Sequence, residues 1–243
     1  GITAGVAPEA GVDRRFPLQR FVTADWNTPV SSKLLIEASA IHRVERWGGM
    51  HPQEGKLGNI DGLTPGIIGI LDNPTPVTGA SLSYRANTGA GAYNNSWNWN
   101  IHYRAAISYI TGSHNFKVGF NNSTGSSDYF NFVHQPVAYR LNNGVPNQIT
   151  LRARPFHTLW EMDADIGLFA QDRWTIDRLT LTGGLRFDYK KTHFPGQYLG
   201  PTAIAPNCNI TIPDTPQLSW KDVTPKMGAA YDLFGTGRTA VKV

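Results

Sequence analysis

The chain has a single cysteine, few charged residues and no long hydrophobic run. Cys208 has no partner in the chain, so an internal disulfide is excluded, and we expect a free thiol in a loop. Charged residues make up only 16% of the 243 residues. Apolar runs such as residues 66–71 fall far short of the roughly 18 residues that a membrane-spanning helix needs. No charged segment followed by an apolar one stands at Gly1, so no signal peptide is visible.

Arrangements typical of catalytic sites are also missing. The seven histidines are isolated, and no metalloprotease, P-loop, dinucleotide-binding or serine-hydrolase motif occurs. Asp163 and Asp165 share one face of an alternating segment and could hold a hard cation, but a polar strand face explains them more simply. The basic residues behind the net charge of +4 are scattered singly, which disfavours nucleic-acid binding. We therefore expect no enzyme activity, catalytic residue, metal, cofactor or nucleic-acid partner.

The sequence is rich instead in long segments that alternate between apolar and polar residues, a pattern that predicts half-buried β-strands. Residues 97–110 are the clearest example. Their apolar positions are Trp97, Trp99, Ile101, Tyr103, Ala105, Ile107 and Tyr109, and their polar positions are Asn98, Asn100, His102, Arg104 and Ser108. Residues 165–189 predict two more strands joined by a tight turn. In total the pattern indicates about ten strands, including a hairpin of residues 128–141 and 148–156 around Asn142, Asn143 and Gly144.

The connections between these predicted strands alternate in length. Short turns are expected near residues 27–32, 111–114, 142–146, 176–179 and 235–238, and long loops at about 48–96 and 192–221. Short turns on one rim and long loops on the other are typical of outer-membrane barrels. A strand of about 13 residues, tilted by about 45°, covers roughly 30 Å, which is enough to cross the apolar band of a membrane.

Whole strand-turn-strand phrases carry a family resemblance. The segments LFAQDRWTIDRLTLTGGLRFDY at 168–189 and WKDVTPKMGAAYDLFGTGRTAVKV at 220–243 resemble the barrel of TonB-dependent outer-membrane receptors. YITGSHNFKVGF at 109–120 and YRLNNGVPNQIT at 139–150 resemble the Oar-like subgroup of that family. The resemblance implies a bacterial outer-membrane protein with a barrel of about 22 strands and an internal plug, which uses energy passed by TonB to import scarce or bulky nutrients.

From these observations we expect an all-β fold, in which residues 1–243 form part of an antiparallel transmembrane β-barrel. Neither a plug nor a TonB-contacting segment is recognisable, so the expected partners are outer-membrane lipid, an unknown nutrient and, through other regions of a parent protein, TonB. Residues of the first long loop, and polar strand positions expected to point into the barrel, are the ligand-binding candidates. They are Trp47, His51, Tyr84, Arg85, Tyr93, Arg104, Arg186 and Asp188.

Two other interpretations stay open at this point. The first is a complete, small outer-membrane barrel with a structural or passive-pore function, which would fold alone in detergent. The second is a soluble extracellular β protein that binds or hydrolyses polysaccharide, which would be monodisperse without detergent.

Overall fold

The computed structural model describes residues 5–52, 67–76, 79–89, 92–132, 135–153 and 156–243. In this part of the chain, no helix is both long enough and apolar enough to cross a membrane. A single 3-10 turn, Pro8–Ala10, precedes the strands. The strands in chain order are β1 (Asp13–Pro29), β2 (Leu34–Met50), β3 (Gly69–Asp72), β4 (Leu82–Tyr84), β5 (Tyr93–Thr111), β6 (His114–Phe132), β7 (Val137–Asn142), β8 (Val145–Leu151), β9 (Phe156–Ile176), β10 (Leu179–Phe194), β11 (Gln197–Leu199), β12 (Ile210–Ile212), β13 (Thr215–Asp232) and β14 (Ala240–Lys242).

Eight of these strands form one antiparallel sheet, in the order β1-β2-β5-β6-β9-β10-β13-β14. We call this sheet the wall. Its first seven strands run 16 to 21 residues, whereas strands of soluble sheets usually have about five or six. β1 and β14 are the two edges of the wall. The predicted all-β, antiparallel architecture is confirmed, and the described part of the sheet is open.

The connections of the wall alternate between its two rims, because each strand is antiparallel to the next. Residues 30–33, 112–113, 177–178 and 233–239 lie on one rim, and the longer connections at 51–92, 133–155 and 195–214 lie on the other. Two of the long connections contribute a second sheet, β4-β3-β7-β8, in which β3 and β7 are parallel. The third contains the β11-β12 pair. The rim with the longer connections thus carries additional structure.

The turn at 142–146 corrects the sequence-based prediction. It does join two antiparallel strands, and Asn143 and Gly144 have the positive φ angles of 51° and 76° that such turns require. Those strands are the short β7 and β8 of the second sheet, so the turn belongs to the rim with the long connections. β6 ends at Phe132, β7 begins at Val137 and β9 begins at Phe156. The prediction of one long hairpin formed by residues 128–141 and 148–156 is therefore wrong. Alternation alone does not say which strands pair.

The register of the wall is interrupted at a few places. The pairing of β9 shifts by one residue against both of its neighbours, between Asn121 and Gly125 on β6 and between Lys191 and Thr192 on β10. One extra residue in β9, at Ala164 and Asp163, accounts for both shifts and marks a β-bulge. A similar shift in β1 falls at Pro17, which has no N–H to donate to the ladder.

The tightly packed core lies where the second sheet meets the wall. The largest fully buried side chains are those of Tyr93, His51, Asn94 and Ser96. The Asn94 side chain accepts a hydrogen bond from the backbone N–H of Gly49 (3.0 Å) and donates one to the Ser96 hydroxyl (3.2 Å). Many large apolar residues along the rest of the wall stay exposed, most of them on one face, so the long strands are not the halves of a soluble sandwich core.

Candidate functional site

One face of the wall is apolar across all of its central strands. Direct cross-strand pairs join Ile36, Ile107, Val118, Ala170, Leu185 and Pro225 in one row. The next row joins Ala38, Ala105, Phe120, Leu168, Phe187 and Val223. We call this side the apolar face. Leu185 and Val223 are each 55% exposed, so these side chains are accessible to whatever surrounds the wall.

Aromatic residues border the apolar rows at two levels. Near the short turns, the His114 ring stacks between Phe116 and Trp174, with ring centroids 5.3 Å apart on both sides, and its Nδ1 lies 2.6 Å from an Asp172 carboxylate oxygen. Farther along, Tyr103 and Tyr189 end the apolar rows. At about 3.3 Å per residue and a tilt of about 45°, the stretch of β9 from Ile176 to Ile166 rises roughly 23 Å, close to the apolar band of about 25 Å in barrels.

The opposite side of the wall, the polar face, carries linked charges. Lys117 Nζ lies 2.5 Å from Glu37, Lys190 Nζ lies 3.3 Å from Asp165, and Arg104 Nε donates to the Ser39 hydroxyl at 3.0 Å. A recess of about 270 Å³ on this face is lined by Arg104, Lys117, Arg186 and Glu37, among others. Lys117 pairs with Glu37 and Arg186 pairs with Asp188, so Arg104 leaves one net positive charge at this recess.

The predicted wall residues lie together on the polar face. Arg186 donates to both Asp188 carboxylate oxygens at 2.9 Å and to Asn121 at 3.1 Å, while Asn121 pairs with Arg104 on β5. Gly167 faces this group, and a Cβ there would clash with the Arg186 guanidinium. The close approach of Arg186 to the sheet therefore depends on glycine at this position.

The predicted loop residues gather in and beside the second sheet. His51 Nε2 is 2.8 Å from the carbonyl oxygen of Arg85, whose φ is 65°, and the Tyr93 hydroxyl accepts a hydrogen bond from the Asn87 backbone N–H at 3.0 Å. His51 is 2% exposed and Tyr93 is 0% exposed, so these side chains hold the first long connection in place. Burial, and then the Asp72 charge, raise the pKa of Tyr84. Ligand contact by these four residues stays a prediction.

Trp47 lies apart from both groups, on the polar face of β2. Its ring centroid is 6.0 Å from that of Tyr129, and the Arg14 guanidinium lies 5.6 Å from the Trp47 ring. Trp47 borders a second recess of about 380 Å³, together with Arg43, Glu45, Asn98, Ser127, Tyr129 and Trp160. Sequence reasoning missed the other members of this recess. Alternation in 34–47 marks Arg43 and Glu45, but Tyr129 lay in a segment assigned to the wrong hairpin.

One group among the described residues has the side chains to hold a metal ion. Donor atoms of Glu161, Asp163 and His193 lie within 4.8 Å of one another, but Lys191 Nζ is also 3.3 Å from Asp163. An ion-pair network accounts for this group, and we assign no metal to it. The prediction that Asp163 and Asp165 share a face is wrong, because the bulge in β9 separates them. Asp165 pairs with Lys190 on the polar face, and Asp163 contacts His193 and Lys191 on the other.

A meander of long strands with one apolar and one charged face defines the wall of a membrane β-barrel. The sequence model described as TonB dependent receptor-like, beta-barrel matches residues 47–237. Because this match spans more than half of the chain, the chain belongs to that family, and the predicted fold class, a segment of such a barrel, is confirmed. No curated protein and no solved structure matches the chain. The family consists of outer-membrane transporters, not enzymes, that act with TonB and their ligands.

Proposed function

We propose that the chain forms part of the wall of a TonB-dependent outer-membrane transporter that imports a scarce or bulky nutrient, and that it belongs to the Oar-like subgroup. The apolar face carries this proposal. Exposed Ile107, Val118, Leu168 and Leu185 lie on four neighbouring strands, in the two adjacent apolar rows. A soluble protein rarely leaves such a large contiguous apolar surface uncovered, whereas lipid chains cover it without cost.

The rims give the wall an orientation in this proposal. Barrels of the bacterial outer membrane have short turns on the periplasmic side and longer loops on the outer side. The turns at 112–113 and 177–178 would thus face the periplasm, and the second sheet would face outward. The polar face, with Arg104, Arg186 and Asp188, would line the lumen, and Trp47 and the residues around His51, Tyr84, Arg85 and Tyr93 would lie near its outer entrance.

The two edges of the wall support a larger barrel. β1 and β14 each have one neighbour in the described sheet, and their remaining N–H and C=O groups need partners in lipid, because an unpaired edge there is too costly. We therefore infer that β1 and β14 pair with further strands of a barrel of about 22, whose plug and TonB contact belong to a parent protein.

Cysteine reactivity in outer membranes tests the lipid contact. In the Cys208→Ser background, we would introduce Ile107→Cys on the apolar face and its neighbour Ser108→Cys on the polar face. The matched pair Val223→Cys and Thr224→Cys lies on β13. A small water-soluble thiol reagent should modify positions 108 and 224 in membranes, and positions 107 and 223 only after the lipid contact is disrupted. Equal reactivity of neighbours in intact membranes would contradict the membrane wall and favour a soluble β protein.

Growth experiments test the dependence on TonB. Cells that lack the parent protein should lose growth on one limiting nutrient, within a panel of iron chelates and oligosaccharides. Cells that lack TonB should fail on the same nutrient, because import against a gradient needs energy from TonB. A passive pore predicts that loss of TonB leaves this growth unchanged, and that outcome would overturn the transporter proposal.

A further inference from the structure

The recess bordered by Trp47 has the dimensions of a small-molecule site. We call it the aromatic recess, and its lining includes Arg43, Glu45, Trp47, Asn98, Tyr129 and Trp160. Its volume of about 380 Å³ falls within the range of about 300–1,000 Å³ that is usual for ligand pockets. It crosses four neighbouring strands, β2, β5, β6 and β9, so long-range strand pairing holds its walls in place.

A chain of hydrogen bonds runs across the recess from β2 to β6. Arg43 Nη2 lies 2.6 Å from one Glu45 carboxylate oxygen, and the Asn98 amide nitrogen donates to the other at 3.4 Å. The Asn98 carbonyl oxygen accepts a hydrogen bond from the Ser127 hydroxyl at 2.6 Å. Each carboxylate oxygen has lone pairs beyond these contacts. The polar groups are therefore oriented before a ligand arrives, which lowers the entropic cost of binding.

Aromatic rings flank this polar chain. Trp47 and Tyr129 lie on adjoining sides with an angle of 55° between their planes, so they form a corner and not a parallel stack. Trp160 comes from the third side, on β9, opposite Ser127, and it is 39% exposed. The recess thus combines apolar ring faces with donors and acceptors at a short distance.

The charges in the recess compensate each other. Arg43 and Glu45 form one ion pair, and no other charged side chain lines the recess in the described part of the chain. The recess around Arg104, Lys117 and Arg186 differs, because Arg104 adds one positive charge to the Lys117–Glu37 and Arg186–Asp188 ion pairs. The lining of the aromatic recess thus carries no net charge, and a neutral ligand with many hydroxyl groups can pair with the lone pairs and N–H groups that remain there.

We propose that the aromatic recess binds a neutral saccharide, an inference that rests on the proposed function and names the class of its nutrient. A pyranose ring has an apolar C–H face that packs on Trp and Tyr rings, and a rim of hydroxyl groups that pairs with Glu45, Asn98 and Arg43. Asn98 lies roughly 16 Å along β5 from Tyr103, in the direction of the long connections. The saccharide would therefore bind above the apolar rows, at the outer entrance of the lumen.

Calorimetric titration of the full parent protein in detergent tests this proposal. The probes are three neutral hexaoses, namely maltohexaose, cellohexaose and xylohexaose, with a galacturonic acid hexamer as the charged comparison. At least one neutral hexaose should bind, with an affinity that hardly changes when salt is raised, because no net charge contributes to binding. Absence of binding by all three, or tighter and salt-dependent binding of the charged hexamer, would overturn the proposal.

Two tryptophans provide a matched control for the contact itself. Trp160→Ala should weaken hexaose binding about tenfold or more, which corresponds to about 1.4 kcal/mol, and Trp160→Phe should retain most of the affinity because it keeps an aromatic face. Trp97→Ala removes a ring of similar exposure from the apolar face and should leave binding unchanged. Equal losses from Trp97→Ala and Trp160→Ala would contradict the assignment.

Failure of this proposal can be told apart from failure of the proposed function. Cysteine reactivity at positions 107 and 108, and the shared growth loss with TonB, do not depend on which ligand binds. If those results hold while no neutral hexaose binds, the chain is a transporter wall for another class of nutrient. If the reactivity pattern itself is absent, the transporter proposal fails first.

Discussion

Asp72 joins two connections that are far apart in the sequence. It lies on β3, is 5% exposed, and both of its carboxylate oxygens are 3.1 Å from the backbone N–H of Gly144 in the β7-β8 turn. The parallel pairing of β3 with β7 brings the two segments together. A buried carboxylate that accepts a backbone hydrogen bond contributes more than an exposed ion pair does, so Asp72 stabilises the second sheet.

Replacement of this residue should loosen the second sheet. We expect Asp72→Ala to destabilise it locally by about 1–3 kcal/mol, because the Gly144 N–H loses its acceptor. Hydrogen exchange should become faster at residues 69–72 and 137–151, while β5 and β6 exchange as before. Asp72→Asn retains one carbonyl oxygen and should have a smaller effect. Unchanged exchange in Asp72→Ala would show that strand pairing alone holds this sheet.

The turn at Asn143 and Gly144 shows which features of single residues can be predicted from the local sequence. Two adjacent positive φ angles favour Asn and Gly for steric reasons, so the turn could be predicted from these two residues. The hydrogen bond from Gly144 to Asp72 could not, because their approach depends on the pairing of β3 with β7. The burial of His51 and Tyr93 could not be predicted either, because neither residue lies in an apolar pattern that marks a core position.

The bulge in β9 sets which residues of that strand face the aromatic recess. Asp165 pairs with Lys190, and Met162 pairs with Gly125. Because β9 has one extra residue at Asp163 and Ala164, both Asp165 and Met162 lie on the polar face although they are three positions apart. Trp160, two residues before Met162, follows on the same face. Without this bulge, the alternation from Asp165 would place Trp160 on the apolar face. The site therefore depends on an irregularity that the residue pattern does not reveal.

Single-residue deletions should have different effects in a strand with a bulge and in a regular strand. Deletion of Asp163 removes the extra residue and leaves the faces of Trp160 and Asp165 unchanged, so we expect near-normal amounts of the parent protein in the outer membrane. Deletion of Ala105 from β5, whose register with β2 and β6 is unbroken, reverses one half of the strand. That variant should be lost from the membrane. Equal loss of both variants on immunoblots of outer-membrane fractions would contradict the assignment of the bulge.

On the scale of the whole molecule, the two faces of the wall suit different surroundings. The apolar rows from Ile36 to Pro225 are suited to contact with lipid, and the polar face is suited to contact with water. The strands continue beyond Tyr103 and Tyr189 toward the long connections, where the aromatic recess and the second sheet lie. This arrangement separates the proposed lipid contact near the short turns from the proposed ligand contact near the opposite rim.

An arginine should therefore lower the stability of the barrel on the apolar face but not on the polar face. Leu185→Arg places a charge near the middle of the apolar rows and should cost about 2–4 kcal/mol in a membrane barrel. Thr180→Arg places the same charge on the polar face, opposite the uncharged Thr175 and Ala230, and should be nearly neutral. Refolding into lipid vesicles, followed by urea titration of the parent protein, measures the difference. A soluble protein predicts little effect at either position, since Leu185 is already 55% exposed.

The sequence by itself determined the strands, the tight turns and the two faces of the wall. Those properties depend on neighbouring residues: alternation along β5 and β10 separates Ile107 from Ser108 and Leu185 from Arg186, because side chains alternate across a strand. Only the tertiary structure decided what depends on partners distant in the chain. It moved the turn at 142–146 to the other rim, buried His51 and Tyr93, separated Asp163 from Asp165, and assembled the aromatic recess from four strands, since hydrogen-bond register is a property of strand pairs and not of single strands.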